Sequence, residues 1–420
     1  MLLTCVLRLF TGPADAEEPT PLAGEEFHTE VLGEPVTVPP RDRKTVTAAS
    51  AGIAYLPDGP SFYQVLPFGA FYVWRHSDDY KERFRGSFSV AVNDVAYNVG
   101  SHSSNGWELR FTFNNMIIPL GRAEYVEGQI IRDVEVEWNY AFAGVGLAYR
   151  KWLAPGQQDN ALEVSLTYEP GYRWFQRSKG TARGFIVPTD TYEGRLHARL
   201  RTDALVRNVM ELPHRGYAFG GDFLYGHRAT WGRWGGVAPF ESPNVEQERD
   251  YLMGSVYAVA AGGLPFLNTE RHRFVASVYG GLGRHLDRFS TFRLPGRPTG
   301  YEWEAISLPI LPSVAFNELF PTRYALAHLE YRYQAMFFLY PYARASWGLV
   351  EQLRFQPNGG IRRQMDEMPA LSGGVVSGAP WKSLIELNYS YNFGIYSDRG
   401  GGPPQPGRHG FFVFWSKEFR

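Results

Sequence analysis

Charged side chains occupy alternate positions in the stretch YEGRLHARLRTDAL at 192–205. Arg195, Arg199 and Arg201 share one parity, and small or apolar residues fill the positions between them. Guanidinium groups collected on one strand face could line an anion-selective constriction. The alternative is a neutral arrangement in which each arginine pairs with a carboxylate on a neighbouring strand. The formal net charge of −1 favours this alternative.

A second polar row consists of His328, Glu330 and Arg332, within the stretch TRYALAHLEYRYQAM. These residue types can act as general acids and bases. Inward positions of a barrel strand are, however, usually polar without any catalytic role. We therefore predict that this row lines a lumen and takes no part in a reaction.

Both rows predict β-strands, because side chains alternate between the two faces of a strand. The same alternation recurs along nearly the whole chain, with turn-like clusters between the strands and no helical block to cover the apolar faces. In the stretch from Asp133 to Trp152, for example, Val134, Val136 and Trp138 alternate with charged residues. An apolar sheet face without a partner in the chain needs lipid. Arginines facing lipid near the membrane midplane would cost roughly 2–4 kcal/mol each, so the charged faces must line a lumen.

The predicted fold is an all-β transmembrane antiparallel β-barrel of about 16 strands, within a range of 12–16. Aromatic residues make up 15% of the 420 residues, which fits the aromatic girdles of a membrane barrel. The chain has no basic stretch that would indicate nucleic-acid binding. It has no metal-binding motif, so we predict no metal and no cofactor.

Three regions are predicted along the chain. Residues 1–16 are expected to be a signal peptide ending in the cleavage-site-like Ala14-Asp15-Ala16, with a truncated start as one interpretation. Residues 17–50 are polar and proline-rich and are expected to form an extended periplasmic segment. Residues 51–420 are expected to form the barrel. Cys5 is the single cysteine and lies in the predicted signal peptide. The mature chain would therefore have no thiol, which suits an oxidising compartment.

The final strand, GFFVFWSKEFR, resembles the C-terminal insertion signal of bacterial outer-membrane barrels. The apolar residues that share the required parity are Phe411, Val413, Trp415 and Phe419. Lys417 and the additional Arg420 depart from the pattern. The resemblance implies a location in the cell outer membrane, contact with its lipid and lipopolysaccharide, and recognition by the barrel-assembly machinery.

The last part of the chain resembles the barrel of the BamA/TamA superfamily, in particular that of patatin-like autotransporters. In that family a long loop folds back into the barrel and precedes a strand of the type L-x-Y-R, which matches Leu329 to Arg332. The resemblance implies that an inward-folded loop acts as a gate or plug. The residues at the matching loop positions are Gly296, Arg297, Pro298, Thr299, Gly300 and Tyr301.

The loop departs from the family pattern at its charged residues. Thr299 stands where the family has an arginine, and Ser346 stands where the following strand has an acidic residue. Both members of the ion pair are replaced together. This is expected, because one buried charge without its partner would be costly. This departure, and the lack of POTRA-like domains before the barrel, leads us to expect no insertase activity.

The string HSSNG at 102–106 is similar to a string found in outer-membrane phospholipases and lipid A deacylases. The resemblance implies His102 as general base, Ser104 as nucleophile, and Asn114 or Asn115 as the residue that orients the imidazole. The same string is typical of a hairpin turn, which is the interpretation we favour. The expected function is a pore or translocation scaffold gated by an internal loop, with an acyl hydrolase as the alternative. The sequence gives no prediction of the oligomeric state.

Overall fold

A computed structural model describes residues 20–31, 33–41, 43–60, 64–89, 92–100, 105–154, 160–236, 248–264, 270–294, 306–315, 318–357, 359–397 and 404–419. The described chain is 71% strand, and the strands form a closed antiparallel barrel of 16 strands, as the sequence predicts. No helix among these residues is long and apolar enough to cross a membrane.

Two strands lie outside the barrel and pair with each other as a hairpin: β1 (Phe27–Val31) and β2 (Glu34–Val38). The barrel strands are β3 (Thr45–Tyr55), β4 (Val65–His76), β5 (Glu82–Ser89), β6 (Val92–Gly100), β7 (Gly106–Val126), β8 (Gln129–Trp152), β9 (Ala161–Arg177), β10 (Thr191–Asp203), β11 (Val206–Arg207), β12 (Pro213–Arg228), β13 (Asp250–Gly262), β14 (His272–Arg284), β15 (Arg323–Tyr333), β16 (Leu339–Phe355), β17 (Ile361–Glu367), β18 (Ala370–Ala379), β19 (Ser383–Ser397) and β20 (Gln405–Glu418). β10 and β11 both pair with β12, one after the other along its length, and together they fill one position in the wall. In the same way, β17 and β18 both pair with β16 and fill one position. The 18 strands from β3 to β20 therefore occupy 16 positions.

The barrel closes between its first and last strands. β20 pairs with β3 from Phe411 opposite Tyr55 to Glu418 opposite Ala48. The start of β3 and the end of β20 therefore meet at one end of the barrel, which we call the termini end. The opposite end is the loop end. The chain reaches the loop end between β14 and β15, where the longest connection begins.

The two faces of the wall differ in polarity. In β9, Val164 and Leu166 are 46% and 50% exposed on the outer face, whereas Ser165 and Thr167, which alternate with them, are 5% and 3% exposed. Similar apolar residues cover the outside of most strands, and the terminal residues Phe411, Val413 and Trp415 are among them. A closed barrel with an apolar outer surface and a polar interior is the architecture that spans the outer membrane. The chain is an integral outer-membrane β-barrel.

One apolar face is placed differently from the sequence-based expectation. β8 is a single long strand, and in its loop-end half Val134, Val136 and Trp138 are buried inside the barrel instead of facing lipid. They pack in one cluster with Phe289, which belongs to the β14–β15 connection. The expectation was wrong here because this part of the wall has a partner from the chain itself.

The barrel also begins earlier than the predicted boundary at residue 51, since β3 starts at Thr45. The predicted extended segment before it contains the β1–β2 hairpin. We call residues 20–44 the terminal segment. The predicted signal peptide at 1–16 lies outside the described residues.

Candidate functional site: the closed lumen

The connection between β14 and β15 enters the barrel. We call residues 285–322 the inward segment, of which 285–294, 306–315 and 318–322 are described. The ring of Phe289 lies 4.8 Å from that of Phe175 on β9. Farther along, the Ser313 hydroxyl lies 2.9 Å from that of Ser390 on β19. β9 and β19 are far apart in the strand order, so a segment that contacts both crosses the lumen.

Apolar packing holds the inward segment in place. Leu294 and Leu311 are fully buried at the centre of a hydrophobic cluster. The cluster also contains Tyr324, Leu326 and Val350 from the inner faces of β15 and β16. Burying such side chains typically contributes about 1.5–3 kcal/mol each. The inward segment is therefore packed as a core against the wall.

Buried ion pairs also tie the inward segment to the wall. Asp287 lies 2.6 Å from Arg228 at the end of β12, and neither side chain is exposed. Glu318 lies 2.6 Å from Arg408 on β20, and these side chains are also buried. In both pairs the acid lies on the inward segment and the arginine on the wall.

The absence of the family's loop-to-wall ion pair, at 299 and 346, therefore does not leave the inward segment without ion pairs. Thr299 and the other predicted gate residues at 296–301 lie outside the described residues. Ser346 forms a hydrogen bond with His328 Nδ1 at 2.8 Å. Other residues supply the ion pairs of the segment: Asp287 and Glu318 pair with arginines of the wall, and Arg288 lies 3.6 Å from Glu124 on β7.

Glu193 on β10 links the ion pair at Asp287 to the rest of the wall. Its carboxylate accepts hydrogen bonds from Arg173 at 3.0 and 3.1 Å, and from the Tyr251 hydroxyl at 2.7 Å. It also accepts a hydrogen bond from Arg228 Nε at 3.3 Å. Arg173 in turn donates to the backbone carbonyl of Phe289 at 2.8 Å. Every charge in this network has a partner, as a buried network requires.

The sequence did not reveal this set of residues. The Asp287–Arg228 and Glu318–Arg408 partners are separated by 59 and 90 residues along the chain. No local spacing marks such pairs. The available signal was the occurrence of acidic residues within this connection, and that signal does not identify their partners.

The predicted arginine row faces the lumen nearer the termini end. Arg195 pairs with Glu169 at 2.8 Å, while Arg199 and Arg201 share Asp222 at 2.8 and 2.6 Å. This is the arrangement that the neutral-lumen alternative predicts. The side chains of Arg199, Arg201 and Asp222 are each 25% exposed although they point inward. The lumen beside them therefore keeps space that side chains do not fill.

A second ionised group lies across β5, β6, β7 and β9. Glu163 accepts hydrogen bonds from Arg110 at 2.9 Å and from Arg83 at 3.1 Å. Asp94, which pairs with Arg85, has a side chain that is 43% exposed inside the barrel. The inner surface here is charged, and its positive and negative groups largely balance.

The predicted row on β15 also faces inward. His328 contacts Ser346, and Glu330 binds both Arg332 and Arg344, the latter at 2.5 Å. Both oxygens of Glu330 are engaged by these arginines. A carboxylate held in this way is suited to an ion pair and poorly suited to proton transfer.

The proposed hydrolytic residues are not brought together within the described chain. His102 and Ser104 lie outside it. Asn114 donates a hydrogen bond to Asp94 at 3.2 Å, and the Asn115 side chain accepts one from Asn93 at 2.9 Å. Because a strand rises about 3.3 Å per residue, Asn114 lies roughly 26 Å along β7 from Gly106. The catalytic interpretation stays a prediction.

The termini end of the lumen is closed by the terminal segment and a neighbouring turn. Val38 packs with Val209 in the β11–β12 turn and with Tyr340 on the inner face of β16. Arg41 forms ion pairs with Glu211 at 3.2 Å and with Glu418 at the end of β20. These contacts connect well-separated strands across the opening.

Within the part of the chain that the structure describes, no group of His, Cys, Asp or Glu side chains is placed to hold a metal ion. The expectation of no metal stays a prediction.

No protein-family model and no curated protein matches this chain. Among solved structures it is similar to BamA from Haemophilus ducreyi lacking POTRA domains 1–3, with 10% identity, coverage of 94% of this chain and 75% of that one, and a TM-score of 0.49. It is also similar to CdiB from Escherichia coli, with 10% identity, coverage of 95% and 68%, and a TM-score of 0.47. For CdiB from Acinetobacter baumannii the identity is 11%, the coverage 93% and 65%, and the TM-score 0.47. These likenesses concern the barrel architecture, and any function has to rest on this chain's own residues.

Proposed function

We propose that the chain is an outer-membrane channel or translocation scaffold whose inward segment acts as the gate. The observation that carries the proposal is the layered lumen. A packed inward segment lies toward the loop end, and below it lies a layer of paired charges such as Arg199 and Asp222 that are partly open to solvent. A barrel that served only as an anchor would need no inner layer of paired charges with unfilled space beside it.

The closed state is held by buried ion pairs on both sides of the lumen. Asp287 and Glu318 reach the wall on opposite sides of the lumen, at Arg228 and Arg408. Removing one partner of a buried ion pair typically costs about 3–5 kcal/mol, because the other charge remains buried and unpaired. The closed state is therefore stable until a cargo or partner supplies substitute contacts.

Below the gate, the expected path runs past alternating positive and negative groups. Because Arg199 and Arg201 are compensated by Asp222, we expect weak charge selectivity in place of an anion-selective pore. The expected partners are membrane lipid and lipopolysaccharide and, during insertion, the barrel-assembly machinery. The outward-facing Phe411, Val413 and Trp415 are consistent with the latter.

Single-channel conductance of the refolded protein in a planar bilayer tests the proposal. We expect the wild-type protein to be mostly silent, and Asp287→Asn and a deletion of residues 295–303 to increase the frequency of openings. Asp250→Asn is the matched control, since Asp250 lies at the same end of the barrel, with its side chain 52% exposed and paired with His227 on the wall. Silence of both gate variants, with folding retained, would contradict a channel gated by this segment.

A further inference from the structure

A groove of about 840 Å³ runs along the outer, membrane-facing surface of the wall. Its lining comes from β7, β8, β9, β10 and β12 and includes Ala143, Pro170 and Gly194. The volume is within the roughly 300–1,000 Å³ typical of small-molecule sites. The gate, the charged layer and the closure at the termini end all lie inside the barrel, so none of them uses this outer surface.

The floor of the groove is a row of small side chains that crosses the strands. Gly194 on β10 lies opposite Pro170 on β9 and opposite His227 on β12. The β8–β9 ladder is interrupted between the pairs Phe142–Gly171 and Val145–Tyr168, where Pro170 cannot donate a backbone hydrogen bond. The wall is therefore thin here, and its outer face is recessed.

Bulky side chains form the ridges on both sides of this floor. Tyr172 and Tyr192 lie toward the loop end, and Tyr168 and Leu196 lie toward the termini end. A Cβ atom added at Gly194 would lie 2.8 Å from the Tyr168 hydroxyl, so the tyrosine leans over the floor. The result is a surface groove lined by aromatic side chains on both sides.

The groove is apolar along its length and polar at one end. At its β12 end, the Tyr225 hydroxyl donates to Asp250 at 2.5 Å, and His227 Nδ1 lies 2.8 Å from the same carboxylate. Tyrosines and other amphipathic side chains collect where the membrane meets water. This cluster therefore marks the lipid–water boundary, and the apolar floor extends from it into the membrane.

We propose that the groove is a binding site for one acyl chain of a membrane lipid, seated over Pro170 and Gly194 with its headgroup near Tyr225 and His227. The groove is continuous with the outer apolar surface that lipid already covers, which favours a lipid over a protein partner. An amphiphile also matches a site that is apolar along its length and polar at one end. The proposal goes beyond the channel function and does not depend on it.

The test fills the groove without adding charge. Ala143→Leu and the double variant Ala143→Leu/Gly194→Leu place branched side chains on the floor. Ala198→Leu is the matched control, because Ala198 faces outward on β10 beyond Leu196 and does not line the groove. Each protein is purified in detergent, checked for the heat-modifiable mobility of a folded barrel, and titrated with dipalmitoyl phosphatidylethanolamine under native mass spectrometry.

We expect the wild-type protein and Ala198→Leu to retain one lipid with equal affinity. The double variant should bind it about tenfold more weakly, which corresponds to about 1.4 kcal/mol. If the double variant fails to fold, Ala143→Leu alone should still weaken binding relative to Ala198→Leu. Equal lipid retention by the folded groove variants and the control would overturn the proposal, as would an equal loss in all of them.

Discussion

A fully buried guanidinium needs a nearby carboxylate, because an uncompensated charge in the interior is costly. Arg228 and Arg408 both find that carboxylate on the inward segment. Neither pair is exposed, so salt in the solvent screens them little. At the scale of single residues, these two ion pairs fix the inward segment to the barrel wall.

Glu318→Gln should destabilise the barrel by about 3–5 kcal/mol, because it leaves Arg408 buried without its charge partner. A double variant, Glu318→Leu/Arg408→Met, should recover much of that loss, since no unpaired charge remains. Guanidinium chloride unfolding in detergent micelles measures both effects.

The control for this experiment is Asp79→Asn, which breaks an exposed pair with Lys81 and should leave the unfolding midpoint unchanged. A double variant that is at least as unstable as Glu318→Gln would contradict the role given to this ion pair.

The sequence was informative where neighbouring residues carried the pattern. Arg195, Arg199 and Arg201 were predicted to face the lumen from their parity alone, and the structure places them there. The sequence could not identify the partners of Asp287 and Glu318. These contacts span 59 and 90 residues of the chain, and they depend on the order of the strands and not on local spacing. The sequence therefore predicted which residues share the inner face of a strand. Which of them form ion pairs with each other became clear only from the fold.

At the scale of elements, β8 shows the limit of the alternation rule. A period of two separates the faces of a strand but does not say which face points to lipid. In the loop-end half of β8 the apolar face meets the inward segment, while Glu135 and Glu137 lie on the other face. Only the packing of a second element determines which side is the interior.

The terminal segment depends on an unusual pair of turns. Glu211 and Trp381 both adopt positive φ angles, of 61° and 60°, which are uncommon for residues other than glycine. Both touch the terminal segment: Glu211 pairs with Arg41, and the Trp381 indole donates to the Pro39 carbonyl at 2.9 Å. The two turns are shaped to hold this segment.

Acid should release the terminal segment. Burial by itself raises the pKa of Glu211, but the Arg43 and Arg41 guanidiniums outweigh it and lower the pKa below the usual 4.5. A carboxyl with a lowered pKa stabilises the attached state above its usual pKa, and this contribution is lost as pH falls through the lowered value. We expect a fluorophore at Glu34→Cys, in a Cys5→Ser background, to gain mobility only below about pH 4.5, measured as anisotropy.

Glu211→Gln should already show a more mobile label at neutral pH and a flatter pH profile. A profile that is the same with and without this substitution would remove Glu211 from the attachment.

At the scale of the molecule, the lumen is closed twice. The inward segment fills it toward the loop end, and the terminal segment with the β11–β12 turn covers the termini end. The layer of paired charges around Arg199 and Asp222 lies between these closures. In the proposed channel, a solute would pass both closures, one after the other.

The inward segment is the larger of two resistances in series, so opening only the termini end should change conductance little. We expect deletion of residues 20–40 to leave the protein nearly silent, and the combination of this deletion with Asp287→Asn to raise conductance well above either change alone. Planar-bilayer recordings under identical salt conditions make the comparison. Full conductance from the terminal deletion alone would show that the inward segment does not close the path.

The position of Arg408 gives the inward segment a mechanical consequence. Arg408 belongs to β20, the strand that completes the ring with β3, while Arg228 belongs to β12. A chain anchored at both points is a cross-brace, and it resists any flattening of the circular section into an ellipse. Loosening the Glu318 attachment would therefore do more than unblock a passage: it would free the strand next to the seam and let the cylinder change its shape.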